Sequence, residues 1–139
     1  MKDIGDLGQK FIRTRPSSMG EILEAERDCG RSFPQSYKKF LLRSNGGEGP
    51  IGRNGYIVLW PVGSIAKKRE KSGFATFLPD LIPIGSNGGG EALALQFAGN
   101  SAWFGYVPWV DLNTASFIRI ADDFWLALEK IGEGTAFDT

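Results

Sequence analysis

Ser36 and Lys39 stand in the run Ser36-Tyr37-Lys38-Lys39, the S-x-x-K spacing of the serine β-lactamases, where the serine is the nucleophile. Lys71-Ser72-Gly73 resembles the K-T-G element of the same enzymes. Both strings are short enough to arise by chance, the S-D-N element is missing, and 139 residues are too few for that fold. The chain has no histidine, which excludes Ser-His-Asp and Cys-His arrangements and every His-bearing zinc site. Acid–base work near neutral pH would fall to a tuned carboxylate, lysine or tyrosine. No catalytic residue, cofactor or metal is assigned, and the chain reads as a non-enzyme.

The loop Gly85-Ser86-Asn87-Gly88-Gly89-Gly90 has the G-x-x-x-x-G of a phosphate-binding loop. However, Glu91 stands where lysine must neutralise phosphate, and Ala92 where Ser or Thr must hold magnesium. An alternating strand pattern follows, whereas a phosphate cradle needs a helix N-terminus. The loop is therefore read as a hairpin connection. Asp122 and Asp123 point about 100° apart on a helix and cannot work as a pair, so capping is their expected task. Lys67-Lys68-Arg69-Glu70-Lys71 is the basic run, and it lacks the interleaved aromatics of a nucleic-acid groove. A solvated helix or loop face is expected there. Cys29 packs as a small hydrophobe.

The aromatic stretch Trp103–Trp109 is the open question. Read as a strand, it sends Trp103, Gly105, Val107 and Trp109 one way and Phe104 and Tyr106 the other. A sheet with helices on one side has a second face, and aromatics beside carboxylates suit a protein-binding surface. Glu91, Trp109 and Asp111 are the candidate partner contacts.

The bulk composition is that of one ordinary globular domain. Sixteen basic and sixteen acidic residues cancel, so no global field points to nucleic acid or an anionic membrane. Hydrophobic residues at 42% and charged residues at 23% are ordinary for a soluble domain. Nineteen glycines suit many tight turns between short strands. There is no apolar run near the length of a membrane span and no signal-peptide core, and one cysteine cannot close an internal disulfide. A cytoplasmic location is the simplest expectation.

Along the chain, residues 1–17 read as an N-terminal extension, a loose helix or a partly ordered arm. Ser18 with Glu21 forms a capping box for a helix that buries Met19, Ile22, Leu23 and Cys29 and ends at Gly30. Glu26 lies on or near that face and is expected to accept hydrogen bonds from backbone N–H groups. A second helix buries Phe33, Tyr37, Phe40 and Leu41 at i, i+4, i+7, i+8. Its cap is Ser32, with Gln35 closing a box, or Phe33, which Pro34 pushes out of the α region. Asn45-Gly46-Gly47 is expected to stop it through positive φ. Residues 48–55 read as a loop, then Tyr56–Trp60 as a strand, and Val62–Ser72 as a short helix or loop. Leu81–Ile84 is the next strand, with Pro83 at an edge or bulge. Strands follow at Leu93–Phe97, Trp103–Trp109 and Phe117–Ile120, then a helix capped by Asp122 with Phe124, Trp125, Leu128 and Ile131 inward. The fold class is α+β: an antiparallel sheet of four to six strands, with two N-terminal helices and a C-terminal helix on one face or end. One domain spans 18–131, and 132–139 form a fraying tail.

Three segments carry a family resemblance. F-P-x-S-Y-K-x-F-L-L-x-x-N-G-G ends at Gly47, I-G-S-N-G-G-G-E-A-L-A runs from Ile84 to Ala94, and I-R-I-A-D-D-F-W-L-A-L begins at Ile118. Together they resemble the SUKH superfamily, typified by a yeast cell-wall-synthesis regulator and known in bacteria largely as immunity proteins against secreted toxins. The match covers about Ser18 to Ile131. It implies a non-enzymatic protein whose partner is a cognate toxin domain, frequently a nuclease, and the fungal branch offers a regulatory scaffold as the alternative. The resemblance makes Glu26, Pro34, Tyr37, Asn45, Gly46, Gly47, Gly85, Gly88, Gly89 and Gly90 motif residues, mainly structural. The family usually has Ser where Asp123 stands, which keeps the helix-start chemistry. A monomer or a weak homodimer fits the sequence equally.

Overall fold

The computed structural model describes residues 1–136. Seven strands form one sheet in chain order, each antiparallel to the next: β1 (Ile12–Arg13), β2 (Gly47–Ile51), β3 (Gly55–Leu59), β4 (Leu81–Ser86), β5 (Glu91–Ala98), β6 (Ser101–Pro108) and β7 (Ile118–Ala121). The helices are α1 (Met19–Cys29), α2 (Gln35–Leu41), α3 (Ile65–Lys71), α4 (Phe74–Phe77) and α5 (Phe124–Glu133). The α+β class stands as expected.

Seven strands exceed the four to six expected because two were hidden. β1 lies in the N-terminal segment, pairing Ile12 with Glu48, and β2 lies in the stretch expected to be a loop. Glycine and proline mask a strand whose alternation is nevertheless regular, with Gly47, Gly49 and Ile51 inward and Glu48 and Pro50 outward. The N-terminal residues also enter the core, through Ile4 and Leu7 of a 3₁₀ turn and through Phe11. Pro83 sits in a central strand, and the register shifts between Pro83 and Gly85, so the bulge alternative holds and the edge alternative does not.

The main core lies between one sheet face and α1, α2 and α5. Tyr37, Phe40, Phe104 and Phe124 form its centre, with Phe124 at 4.9 Å from Phe40, 5.4 Å from Tyr37 and 5.5 Å from Phe104, centroid to centroid. Each such ring pair adds about 0.5–1.5 kcal/mol beyond area burial.

Helix boundaries depart from expectation in three places. On α1 the Ser18–Glu21 box is present, but Met19 (44% exposed) and Leu23 (51%) face solvent while Ile22, Ala25 and Cys29 are buried. For α2 the cap position is Pro34, with no side-chain cap, and the helix stops at Leu41. The Asn45-Gly46-Gly47 segment does other work. Asn45 has negative φ, and its Oδ1 accepts from Val62 N at 2.7 Å. Gly46, at φ +90°, passes so near β3 that a Cβ would lie 2.5 Å from Leu59 O. On α5 the cap is Asp123, whose carboxylate accepts from Leu126 N at 3.0 Å; Asp122 is exposed one residue too early. The helix also runs two residues past Ile131, and Gly132 is buried against Gly52 rather than frayed. Ala136 is buried in the main core as well, so the fraying expected over 132–139 fails there too, and residues 137–139 lie outside the described residues.

Glu26 performs the expected backbone-binding role. Its Oε2 accepts from Phe33 N at 2.6 Å and lies 3.3 Å from Lys38 Nζ, with only 11% and 17% of the two side chains exposed. Glu26→Ala leaves a donor and an ammonium half-buried without partners, so urea denaturation should show a loss of about 2–3 kcal/mol, with Glu26→Gln losing less. Tyr37 behaves oppositely. Its buried hydroxyl has no hydrogen-bond partner among the described residues, and burial raises its pKa. Tyr37→Phe should therefore hold or raise the melting temperature, by up to about 1 kcal/mol in stability; a clear loss would reveal a partner for the hydroxyl.

Candidate partner-binding face

The constellations that could have carried chemistry are mostly spent on structure. Ser36 Oγ accepts from Phe124 N at 3.0 Å, satisfying a first-turn donor of α5, while Lys39 is exposed. The oxygen that a nucleophile would need is thus tied to a helix start. The loop 87–90 connects β4 to β5 as a hairpin, and Asn87 Oδ1 accepts from Gly89 N (2.9 Å) and Glu91 N (3.2 Å). Gly85 allows β4 to lie against Val58 O, where a Cβ would collide. Gly88, at φ +80°, faces the Tyr56 ring, whereas Gly90 meets nothing within 4 Å and Gly89 only the Asn87 side chain. Burial raises the Cys29 thiol pKa, which removes thiolate character. Among the described residues, no three metal-ligating side chains gather, and no helix is long and apolar enough to cross a membrane.

The sheet's second face is where side chains remain available. Alternation along β5 and β6 gives the helical side Leu93, Leu95, Phe104 and Tyr106, and the other side Ala92, Ala94 and Val107. A short cap of Phe74 and Leu78 around α4, with Leu112 and Phe117, covers the middle of that second side. At its border Trp60 stacks on Trp109, rings 6.2 Å apart at 27°, and Phe74 meets Trp109 edge-on at 5.8 Å. Lys68 Nζ lies 5.0 Å from the Trp60 ring centre. At the far end Arg119 covers the Trp103 ring at 4.8 Å and donates to Gln96 Oε1 at 2.8 Å. Two apolar side chains project beyond the cap: Phe77, 66% exposed, and Val110, 96% exposed.

The three candidate contacts cluster at one end of β5 and β6, because Trp109 N donates to Gly90 O at 2.9 Å. They do not share one face. Trp109 belongs to the second face, whereas Glu91 pairs with Pro108 and alternates onto the side of Leu93 and Tyr106. Tyr106 registers this: its pKa is raised by burial first and then by the Glu91 charge. Asp111 is exposed in the turn after β6, and its Oδ2 accepts from Ser116 Oγ at 2.6 Å.

Sequence reasoning missed Lys68, Phe77 and Val110 as neighbours of this surface. Phe74, Phe77 and Leu78 follow Gly73 at helical spacing, a readable sign of α4. Nothing local predicts the contact of Trp60 with Trp109. The basic run lies on α3, where Lys67, Lys68 and Lys71 are exposed. Arg69 turns inward and donates from Nη2 to Pro79 O at 2.7 Å, so the fully solvated reading fails for that residue.

A search of curated proteins returns no match. The model of the SMI1 / KNR4 family (SUKH-1) matches residues 16–130, which take in α1, α2, the sheet from β2 to β7 and most of α5. With most of its length matched, including the helix-to-strand crossing at Asn45–Gly47 and the β4–β5 hairpin, the chain belongs to the SMI1 / KNR4 (SUKH-1) family.

Proposed function

We propose that this chain is a non-enzymatic, cytoplasmic immunity protein that neutralises a cognate bacterial toxin domain, a nuclease among the candidates, by stoichiometric binding. The observation that carries the reading is family membership over residues 16–130, joined to the motif strings typical of the bacterial branch. Two features support it. The Ser36 hydroxyl is engaged at a helix start, and aromatic side chains border a sheet face that the helices leave partly open. Trp109, Asp111 and Glu91 are the proposed contacts at the end of β5 and β6.

The test is co-expression with the toxin encoded by an adjoining reading frame, and titration of the two purified proteins. Growth should be rescued and a complex should form at or below micromolar concentration, about −8 kcal/mol or tighter; absence of both would sink the proposal. Glu91→Lys with Asp111→Lys should keep the melting temperature within about 2 °C, since surface substitutions cost little. The same pair should weaken binding about tenfold or more. Unchanged affinity would clear both residues.

A further inference from the structure

We infer that the border of the second sheet face, from Lys68 across Trp60 and Trp109 to Phe77 and Val110, docks a protein segment with an apolar anchor flanked by carboxylates. The inference rests on the immunity reading only for the identity of the partner, not for its chemistry.

The centre of this border is apolar. Trp60 and Trp109 are half-buried, stacked on one another with Phe74 edge-on to Trp109, and so are held in place before any partner arrives. Rigid, half-buried tryptophans lose little entropy on binding and are the residue type most enriched where interfaces gain their energy. Val110 is almost fully exposed and Phe77 two-thirds exposed, apolar surface that the fold itself leaves open. Leu112 continues the patch, reaching the same point over Gly73 as Phe77.

The helix beside the patch is positively charged. Lys68 and Lys71 lie three residues apart on α3, on one side of the helix, and both are exposed. Among the described residues neither ammonium has a carboxylate within 4.0 Å. Lys68 is held over Trp60, so the unpaired charge adjoins the aromatic anchor. Glu70 and Asp28 line a groove with Lys67 between α3 and α1, a groove that Lys68 and Trp60 do not line. Asp111, two residues beyond Trp109, is exposed and accepts from Ser116 Oγ. The unpaired ammonium groups of α3 therefore adjoin an aromatic and aliphatic patch, a pairing that attracts an apolar segment flanked by carboxylates.

Other occupants fit less well. A nucleic acid would need open ring faces for its bases. Trp60 already has Trp109 against it and Lys68 above it, and Trp109 has Phe74 at its edge. A basic border also cannot plug the basic channel of a nuclease. If the toxin is a nuclease, this face meets an acidic surface away from that channel.

The test uses the full chain, isotope-labelled, and two helical peptides of about 20 residues. One carries leucine and tryptophan anchors among glutamates, and the other has lysines in place of the glutamates. The glutamate peptide should shift the indole N–H signals of Trp60 and Trp109 and the amides of α3, and should bind about fivefold more tightly than its counterpart. Lys68→Glu with Lys71→Glu should reverse that order, and Phe77→Asp with Val110→Asp should weaken both peptides while the remaining spectrum stays that of the folded protein. Equal affinities, no binding of either peptide, shifts confined to Trp103 or Trp125, or tighter binding of a thymidine oligonucleotide or phosphatidylserine vesicles would each overturn the inference. The adjoining toxin separates the two proposals. A toxin that binds the Lys68/Lys71 double reversal as well as wild type overturns this inference and leaves the immunity reading intact. Glutamate-peptide binding here without toxin binding does the reverse.

Discussion

The helical half of this protein depends on how α1 and α2 meet, and one carboxylate fixes that meeting. Pro34 supplies no N–H and bars Phe33 from the helix, so the chain enters α2 with Phe33 N facing inward and no helical acceptor for it. Glu26, two turns along α1, accepts that hydrogen bond and draws in Lys38 from the next turn of α2. The angle this sets puts Tyr37 and Phe40 against Phe104 and Phe124, and puts Ser36 beneath the first turn of α5. A half-buried ion pair of this kind contributes more to choosing one geometry than to net stability. Three helices and the sheet converge only in the geometry that it selects.

The sheet's other side is built on small residues. Ala92, Ala94 and Gly105 leave room for Phe74 and Phe117 to lie almost on the backbone, and a Cβ on Gly105 would strike the Phe117 ring. A layer made from a four-residue helix and a turn segment can seal only the middle of a seven-stranded sheet. Its edges are therefore left to amphipathic side chains, Trp60 and Trp109 with Lys68 at one border, Trp103 with Arg119 at the other. Rings that are packed on one side and wet on the other satisfy both environments.

The sequence was most legible where one residue does one local job. The Ser18–Glu21 box, the apolar stripe of α2, the β4–β5 hairpin and the two-sided alternation of β6 follow from spacing alone. It misled where a residue's usual role gave way to a distant contact. Asn45 looked like a left-handed stop and instead uses its amide on Val62 N, seventeen residues away. The glycines of β2 looked like a loop because their lack of side chains, needed for the close approach of Phe11 and Lys10, is also what loops contain. Of the candidate site, Trp109 could be placed on the second face by counting, but its stacking on Trp60 joins strands that are not neighbours in the sheet. No periodicity encodes such a contact.

The zero net charge shows why composition said little about partners. A sum over 139 residues carries no information about position, while screening confines each exposed charge to about 8 Å at physiological salt. Among the described residues Lys68 and Lys71 have no carboxylate within 4.0 Å, whereas α1 gathers Glu24 and Asp28 on its own exposed side. Balanced composition and locally segregated charge are compatible, and recognition responds only to the second. Within the matched region Glu26, Asn45 and Gly46 are consumed by geometry: Glu26 on Phe33 N, Asn45 on Val62 N, Gly46 against Leu59. At the borders of the second face, Lys68, Lys71, Phe77 and Val110 are exposed, so these side chains can change at little cost to the fold. A scaffold divided in this way can keep one core while meeting many different partners.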